Sequence, residues 1–131
     1  MVTLGIDWGE KRIGLALELN GVIMPLKTIS NETFWDELMK LLEAYPIDEI
    51  IVGLPLHFNG TDSPRSVKIR TIARTIKERT GKCVKLVDEK LTSKEAERRL
   101  SQTTNRSDVD SLSAAVILET YLSDKNKALI V

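Results

Sequence analysis

Four carboxylates interrupt stretches of this 131-residue sequence that otherwise read as apolar interior elements. Asp7 ends the alternating run Val2-Thr3-Leu4-Gly5-Ile6, Asp88 and Glu89 end KCVKLVDE, and Asp110 lies near the start of SDVDSLSAAVILETYL. A buried carboxylate is costly unless it is hydrogen-bonded, paired, protonated or bound to a metal. Several brought together repel one another, and a cation between them relieves the repulsion. Donor sets made only of carboxylate oxygens suit Mg²⁺ or Mn²⁺ better than zinc. Two such ions about 4 Å apart can activate a water and stabilise the leaving oxygen of an in-line displacement at phosphorus. Asp7, Asp88, Glu89 and Asp110 are therefore candidate metal ligands. Adjacent strand residues face opposite sides, so only one of Asp88 and Glu89 is expected to reach the ions, and the pattern alone does not choose between them.

Each acid also has a plainer explanation. Asp7 fits a turn at a strand end, and Asp88 and Glu89 fit surface charges at a strand terminus. Asp110 fits a capping box with Ser107, near the positive end of a helix dipole. Their combination favours a site, because a first strand, a later strand end and a last helix can converge in one fold.

The elements that must position these acids follow from hydrophobic period and breakers. Val2, Leu4 and Ile6 mark a first strand, with Asp7 on the face of the small residues Thr3 and Gly5. RIGLALEL alternates as a second, Asn20-Gly21 is a hairpin turn, and VIMPLKTI returns as a third, with Pro25 suiting an edge or bulge. A helix follows with Phe34, Leu38, Leu41, Leu42 and Tyr45 on one face, stopped by Pro46. DEIIVGLPL is a short apolar strand of the kind buried on both faces. Ser63-Pro64 opens a helix that carries Ile69, Ile72 and Ile76 inward and ends at Gly81. KCVKLVDE is a fifth strand. Thr92 with Glu95 suggests a capping box for a short helix to about Gln102. After the polar loop TTNRS, the last helix runs to about Ser123, with Asp110 on the face of Ala114, Ile117 and Tyr121. Three antiparallel strands followed by alternating helices and strands predict an α/β fold: one domain over residues 1–131, with a five-stranded mixed sheet and helices on both faces. That is a ribonuclease-H-like arrangement.

Net charge is zero, but the charges are unevenly spread: residues 61–90 hold nine Lys/Arg against four acids. Such a segment can form a local phosphate-binding face, or simply a soluble helix surface. Within and around it, Lys11, Arg12, Arg65, Ser66, Lys90 and Arg106 are candidate nucleic-acid contacts. Lys11 and Arg12 flank the first acid, and Arg65 and Ser66 lie in a first helical turn suited to anions. Arg106 is in the loop before the last helix. Trp8 and Phe58 are candidates to stack on an unpaired base, with Trp8 expected to face away from Asp7. His57, the only histidine, reads as a structural loop residue rather than a general base. No apolar run approaches the ~20 residues of a membrane-spanning helix. With no signal-like N-terminus and one cysteine, Cys83, the expected compartment is the cytoplasm.

GIDWGEKRIGLA, IVGLPLHFNGTDSPRS, LVDEKLTSKEAERRL and DVDSLSAAVILETYL resemble, in order, the four motif blocks of the YqgF (RuvX-like) family, across nearly the whole chain. That family is known for Holliday-junction resolution and is implicated in maturing the 5′ end of 16S ribosomal RNA. The resemblance implies a ribonuclease-H-like nuclease acting on branched DNA or structured RNA with Mg²⁺ or Mn²⁺, as a monomer or homodimer. It also implies Asp7, Glu89 and Asp110 as the catalytic carboxylates, favouring Glu89 over Asp88. Lys90 stands where the family usually has arginine, which keeps the charge but loses the bidentate fork. Two other readings remain open: a non-catalytic nucleic-acid-binding or assembly factor using the 61–90 segment, and a phosphotransferase of the actin or sugar-kinase type. The latter normally needs two such domains around a nucleotide.

Overall fold

The computed structural model describes residues 1–92, 94–103 and 109–131. Three strands, β1 (Val2–Asp7), β2 (Arg12–Leu19) and β3 (Val22–Ser30), form an antiparallel meander. The β2–β3 turn places Asn20 and Gly21 at φ 51° and 88°, the left-handed pair that matches strand twist in a two-residue hairpin. β3 is the sheet edge, and its register slips where Leu15 pairs with Lys27 but Ala16 pairs with Pro25. Proline, with no N–H to donate, is tolerated at such a bulge.

The chain continues through α1 (Phe34–Ala44), β4 (Glu49–Leu54), α2 (Pro64–Thr80), β5 (Cys83–Asp88), α3 (Lys94–Thr103), α4 (Val109–Ser123) and β6 (Leu129–Ile130). β4 runs parallel to β1, and β5 runs parallel to β4. The sheet order is β3-β2-β1-β4-β5-β6. All six residues of β4 are buried, as a central parallel strand covered on both faces requires.

One face of the sheet packs Leu4, Ile6, Ile50 and Val52 in a cluster with Phe34 and Leu38 of α1 and Ile69 and Ile76 of α2. The other packs Ala16, Ile51 and Val87 with Ala114, Ile117, Leu118 and Tyr121 of α4. On this second face the sheet is unusually bare. A Cβ added at Gly5 would lie 2.6 Å from Cγ of Leu118, so α4 sits where a side chain would otherwise stand. The far end of α4 is fixed by buried polar groups. Tyr121 Oη donates to Oε2 of Glu49 at 3.0 Å, and Lys85 Nζ donates to Tyr121 at 2.9 Å.

Two expectations need correction. The sheet has six strands rather than five: β6 is two exposed residues pairing antiparallel with Lys85 and Leu86, too short to show alternation. Thr92 precedes α3, which begins at Lys94, and its hydroxyl donates to the Glu89 carbonyl at 2.7 Å, closing the turn before the helix. Among the described residues, no helix is long and apolar enough to cross a membrane.

Candidate functional site

Asp7 ends β1 with a glycine on the strand to either side. Its partner across the β1–β2 ladder is Gly14, and on β4 Gly53 lies one step beyond the Ile6–Val52 pair. Other parts of the chain fill both glycine positions. A Cβ on Gly14 would stand 1.8 Å from the carbonyl oxygen of Asp110; one on Gly53 would meet Oε1 of Glu89 at 2.8 Å and Cδ1 of Ile117 at 2.6 Å. The first turn of α4 therefore rests on β2, and the Glu89 side chain folds back across β4. Asp110 and Glu89 approach Asp7 from opposite sides.

The electrostatics follow from that geometry. Burial, then the charge of Glu89, then that of Asp110 push the Asp7 carboxyl from its ordinary 3.8 up to about 6, against the pull of Arg65. Glu89 is also raised, chiefly by burial, again opposed by Arg65. Arg65 is aimed by a hydrogen bond from its Nη2 to the Trp8 carbonyl at 2.8 Å. Arg12 Nε donates to Oδ2 of Asp110 at 3.0 Å, an ion pair whose arginine is 72% exposed. A cavity of about 280 Å³ is lined by Asp7, Arg65, Glu89, Thr92, Glu97 and Ser113. A larger cleft of about 470 Å³ lies between α3 and the end of α4 and contains neither Asp7, Glu89 nor Asp110.

The carboxylates offer oxygen donors only, in a desolvated setting where they repel one another, which is the chemistry a hard divalent cation relieves. As the side chains stand, no group of three or more His, Cys, Asp or Glu among the described residues surrounds one ion position. Asp110 is held by Arg12 instead.

Residues 1–124 match the family model described as "RuvX: Holliday junction resolvase". The chain belongs to the RuvX family. It is 36% identical to an Alcanivorax borkumensis protein named "Putative pre-16S rRNA nuclease", over 95% of this chain and 97% of that one. An Escherichia coli protein of the same name is 39% identical, over 90% of this chain and 93% of that one. Among solved structures, Thermus thermophilus RuvC in complex with a Holliday junction substrate superposes with a TM-score of 0.71 at 13% identity, covering 100% of this chain and 99% of that one. That likeness bears on the fold alone, which is ribonuclease-H-like. Membership of the RuvX family places the chain among nucleases.

In this RuvX-family chain the expected site residues do not all converge. Asp7 and Glu89 line the cavity, and Asp110 reaches Asp7 through its charge. Asp88 turns elsewhere: its carboxylate accepts from the Lys90 backbone N–H at 2.9 Å and lies 3.5 Å from the Lys90 ammonium. Ser66 is fully buried, its hydroxyl donating within the helix cap to Asp62 and accepting from the Ser63 N–H, so it presents nothing to a phosphate. Lys90 Nζ donates to the carbonyls of His57 and Phe58 at 2.8 and 3.1 Å, so its charge holds the preceding loop. Trp8 packs edge-on to Phe34 in the core, whereas Phe58 is 96% exposed. Lys11 is exposed in the β1–β2 turn. Arg106 and the Ser107 half of the expected capping box lie outside the described residues. Sequence reasoning missed Glu97 and Ser113. Ser113 is within reach of sequence reasoning, since it follows Asp110 by three on the same helix face; Glu97 stands among the charges of KEAERR, where nothing in the sequence singles it out.

Proposed function

We propose that this chain is a divalent-cation-dependent endonuclease that hydrolyses phosphodiester bonds in structured nucleic acid. Precursor 16S ribosomal RNA is the leading substrate, following its relatives' names, and branched DNA, following the family's description, is the second. The observation that carries the reading is Asp7, half-buried between Glu89 and Asp110, with its carboxyl pushed up to about 6. Crowded carboxylates repel a phosphate chain, so they serve a plain binding surface badly; with cations among them the same group attracts phosphate.

Asp7, Glu89 and Asp110 would hold Mg²⁺ or Mn²⁺, in a pair on this reading, and Asp88 stays with Lys90. Such cations supply Lewis-acid activation of water and phosphate. The remaining work falls to the chain. Arg65, fixed on the Trp8 carbonyl, sets a positive charge beside Asp7 and Glu89 and orients a phosphate there. Arg12 is exposed enough to exchange Asp110 for a backbone phosphate, which frees the third carboxylate as substrate arrives. Lys11 in the same turn adds charge for the flanking phosphate. The whole chain acts as one domain in the cytoplasm. One site suffices to trim an RNA end, whereas paired cuts in a junction call for a two-fold dimer.

The test is cleavage of an end-labelled 5′-extended precursor 16S fragment and of a four-way DNA junction, in Mg²⁺, Mn²⁺ or chelator. Wild type should cut the RNA only when metal is present, and Asp7→Asn should not cut. Turnover by Asp7→Asn at the wild-type rate would remove the site. Salt-sensitive binding with no metal-dependent turnover would favour the binding-factor reading.

A further inference from the structure

From the loop between β4 and α2 we infer that Phe58 is a stacking platform for an unpaired nucleobase next to the scissile phosphate, so that the protein selects strands with unpaired nucleotides at the cut. The inference rests on the nuclease reading above and specifies its substrate.

Single exposed apolar residues are common and need no explanation. Phe58 differs because the backbone beneath it is built. His57 N–H donates to the Thr61 carbonyl at 2.8 Å, and Gly60 N–H donates to the His57 carbonyl at 2.9 Å. Gly60 adopts φ 86°, which closes the turn. Asn59 Oδ1 accepts from both the N–H and the hydroxyl of Thr61. The loop base is tied by Ser63 Oγ donating to the Pro55 carbonyl at 2.6 Å. Lys90 clamps the side of the turn through the carbonyls of His57 and Phe58. The main chain at Phe58 is thus ordered in advance, while its ring is left 96% in water. Pre-ordering removes the entropy cost that otherwise weakens a loop contact.

The turn's position suits a nucleotide. Lys90 directly follows Glu89, which lines the carboxylate cavity, and the loop leads into the first turn of α2, which supplies Arg65 to that cavity. The turn that carries the ring is therefore clamped by Lys90 and joined to the helix that supplies Arg65, at the sheet end where a phosphate is expected. A nucleic-acid strand presents phosphate and base in that combination. In a continuous duplex both faces of each base are covered, so only an unpaired base offers a face to the ring. Aromatic stacking is sequence-tolerant because every base has a π face, so the selection is for strandedness rather than sequence.

The experiment compares Phe58→Ala, Phe58→Trp and wild type binding a blunt duplex and the same duplex with a single-stranded tail. It is run with Ca²⁺ in place of Mg²⁺ and with 2-aminopurine at the first unpaired position. Wild type should favour the tailed strand and change the fluorescence of 2-aminopurine. Phe58→Ala should bind the tail about tenfold more weakly, leave duplex binding unchanged and lose the fluorescence response, with Phe58→Trp restoring both. Equal affinities of wild type and Phe58→Ala for the tailed strand would overturn the inference alone, as would equal losses on tail and duplex. Failure of wild type to bind either nucleic acid would instead overturn the reading beneath it.

Discussion

Replacing Asp7 by asparagine should make the folded protein more stable at neutral pH while abolishing its activity. The Asp7 carboxyl rises from 3.8 in an unfolded chain to about 6 in the fold, chiefly through burial and then through Glu89. The folded state therefore binds this proton more tightly than the unfolded state does. Below about pH 4 the group is neutral in both states and imposes no penalty. As pH rises through the window from about 4 to 6, the unfolded chain gives up the proton first, and stability falls. Above about pH 6 the loss is complete. A difference of roughly two units, at 1.36 kcal/mol each, amounts to about 3 kcal/mol. Asparagine is close in shape and carries no charge, so the variant escapes that loss. The assay is urea denaturation followed by far-UV circular dichroism, in chelator, at pH 4 and pH 7.5. The variant should gain about 3 kcal/mol over wild type at pH 7.5 and almost nothing at pH 4, with unchanged m-values. Mg²⁺ added at pH 7.5 should stabilise wild type more than the variant, narrowing the gap by mass action. Equal stabilities at pH 7.5, or a gap of the same size at both pH values, would refute the claim that Asp7 is held ionised against its surroundings.

Other perturbations probe the scaffold. Gly14→Ala drives a methyl into the Asp110 carbonyl, a backbone atom that cannot swing aside. It should cost about 3 kcal/mol in denaturation and remove cleavage, because α4 must lift from the sheet. Tyr121→Phe deletes the hydroxyl between Glu49 and Lys85 at the other end of α4. It should cost about 1–3 kcal/mol with kcat for cleavage unchanged, and a fall in kcat at intact fold would contradict that separation. Arg12→Ala breaks an exposed ion pair, so stability should move by less than about 1 kcal/mol. The Mg²⁺ concentration for half-maximal cleavage should fall as Asp110 is released, while KM for the nucleic acid rises.

The parts of this fold legible in the sequence are those whose signal is local. The Asn20-Gly21 turn, the Ser63 cap, the bulge at Pro25 and the inward face of α4 bearing Asp110 each depend on neighbours within a few residues. The choice between Asp88 and Glu89 was not legible from pattern, because strand parity ends with β5 at Asp88 and Glu89 already belongs to a 3₁₀ turn. Ser66 misled because a serine at a helix start suggests an exposed hydroxyl, whereas here it answers Ser63 in a closed reciprocal cap. Nothing in the sequence says what lies over glycines 5, 14 and 53. Their purpose appears only once α4 and Glu89 are seen occupying the space that side chains would fill. β6 gave no signal, since two exposed residues carry no period.

The proposed carboxylates are far apart in the sequence: Asp7 ends β1, Glu89 follows β5 and Asp110 lies in the first turn of α4. Arg12 and Asp110, joined across the finished site, are 98 residues apart in sequence. During synthesis, strands β1 to β3 can pair before α4 is translated, and the third proposed carboxylate reaches Asp7 only when α4 has settled onto its glycines. A nascent chain, or a fragment cut short before α4, would be an inert sheet without its last acid. In the proposed nuclease, chain order thus acts as a safety catch: the site forms only after α4 has been made.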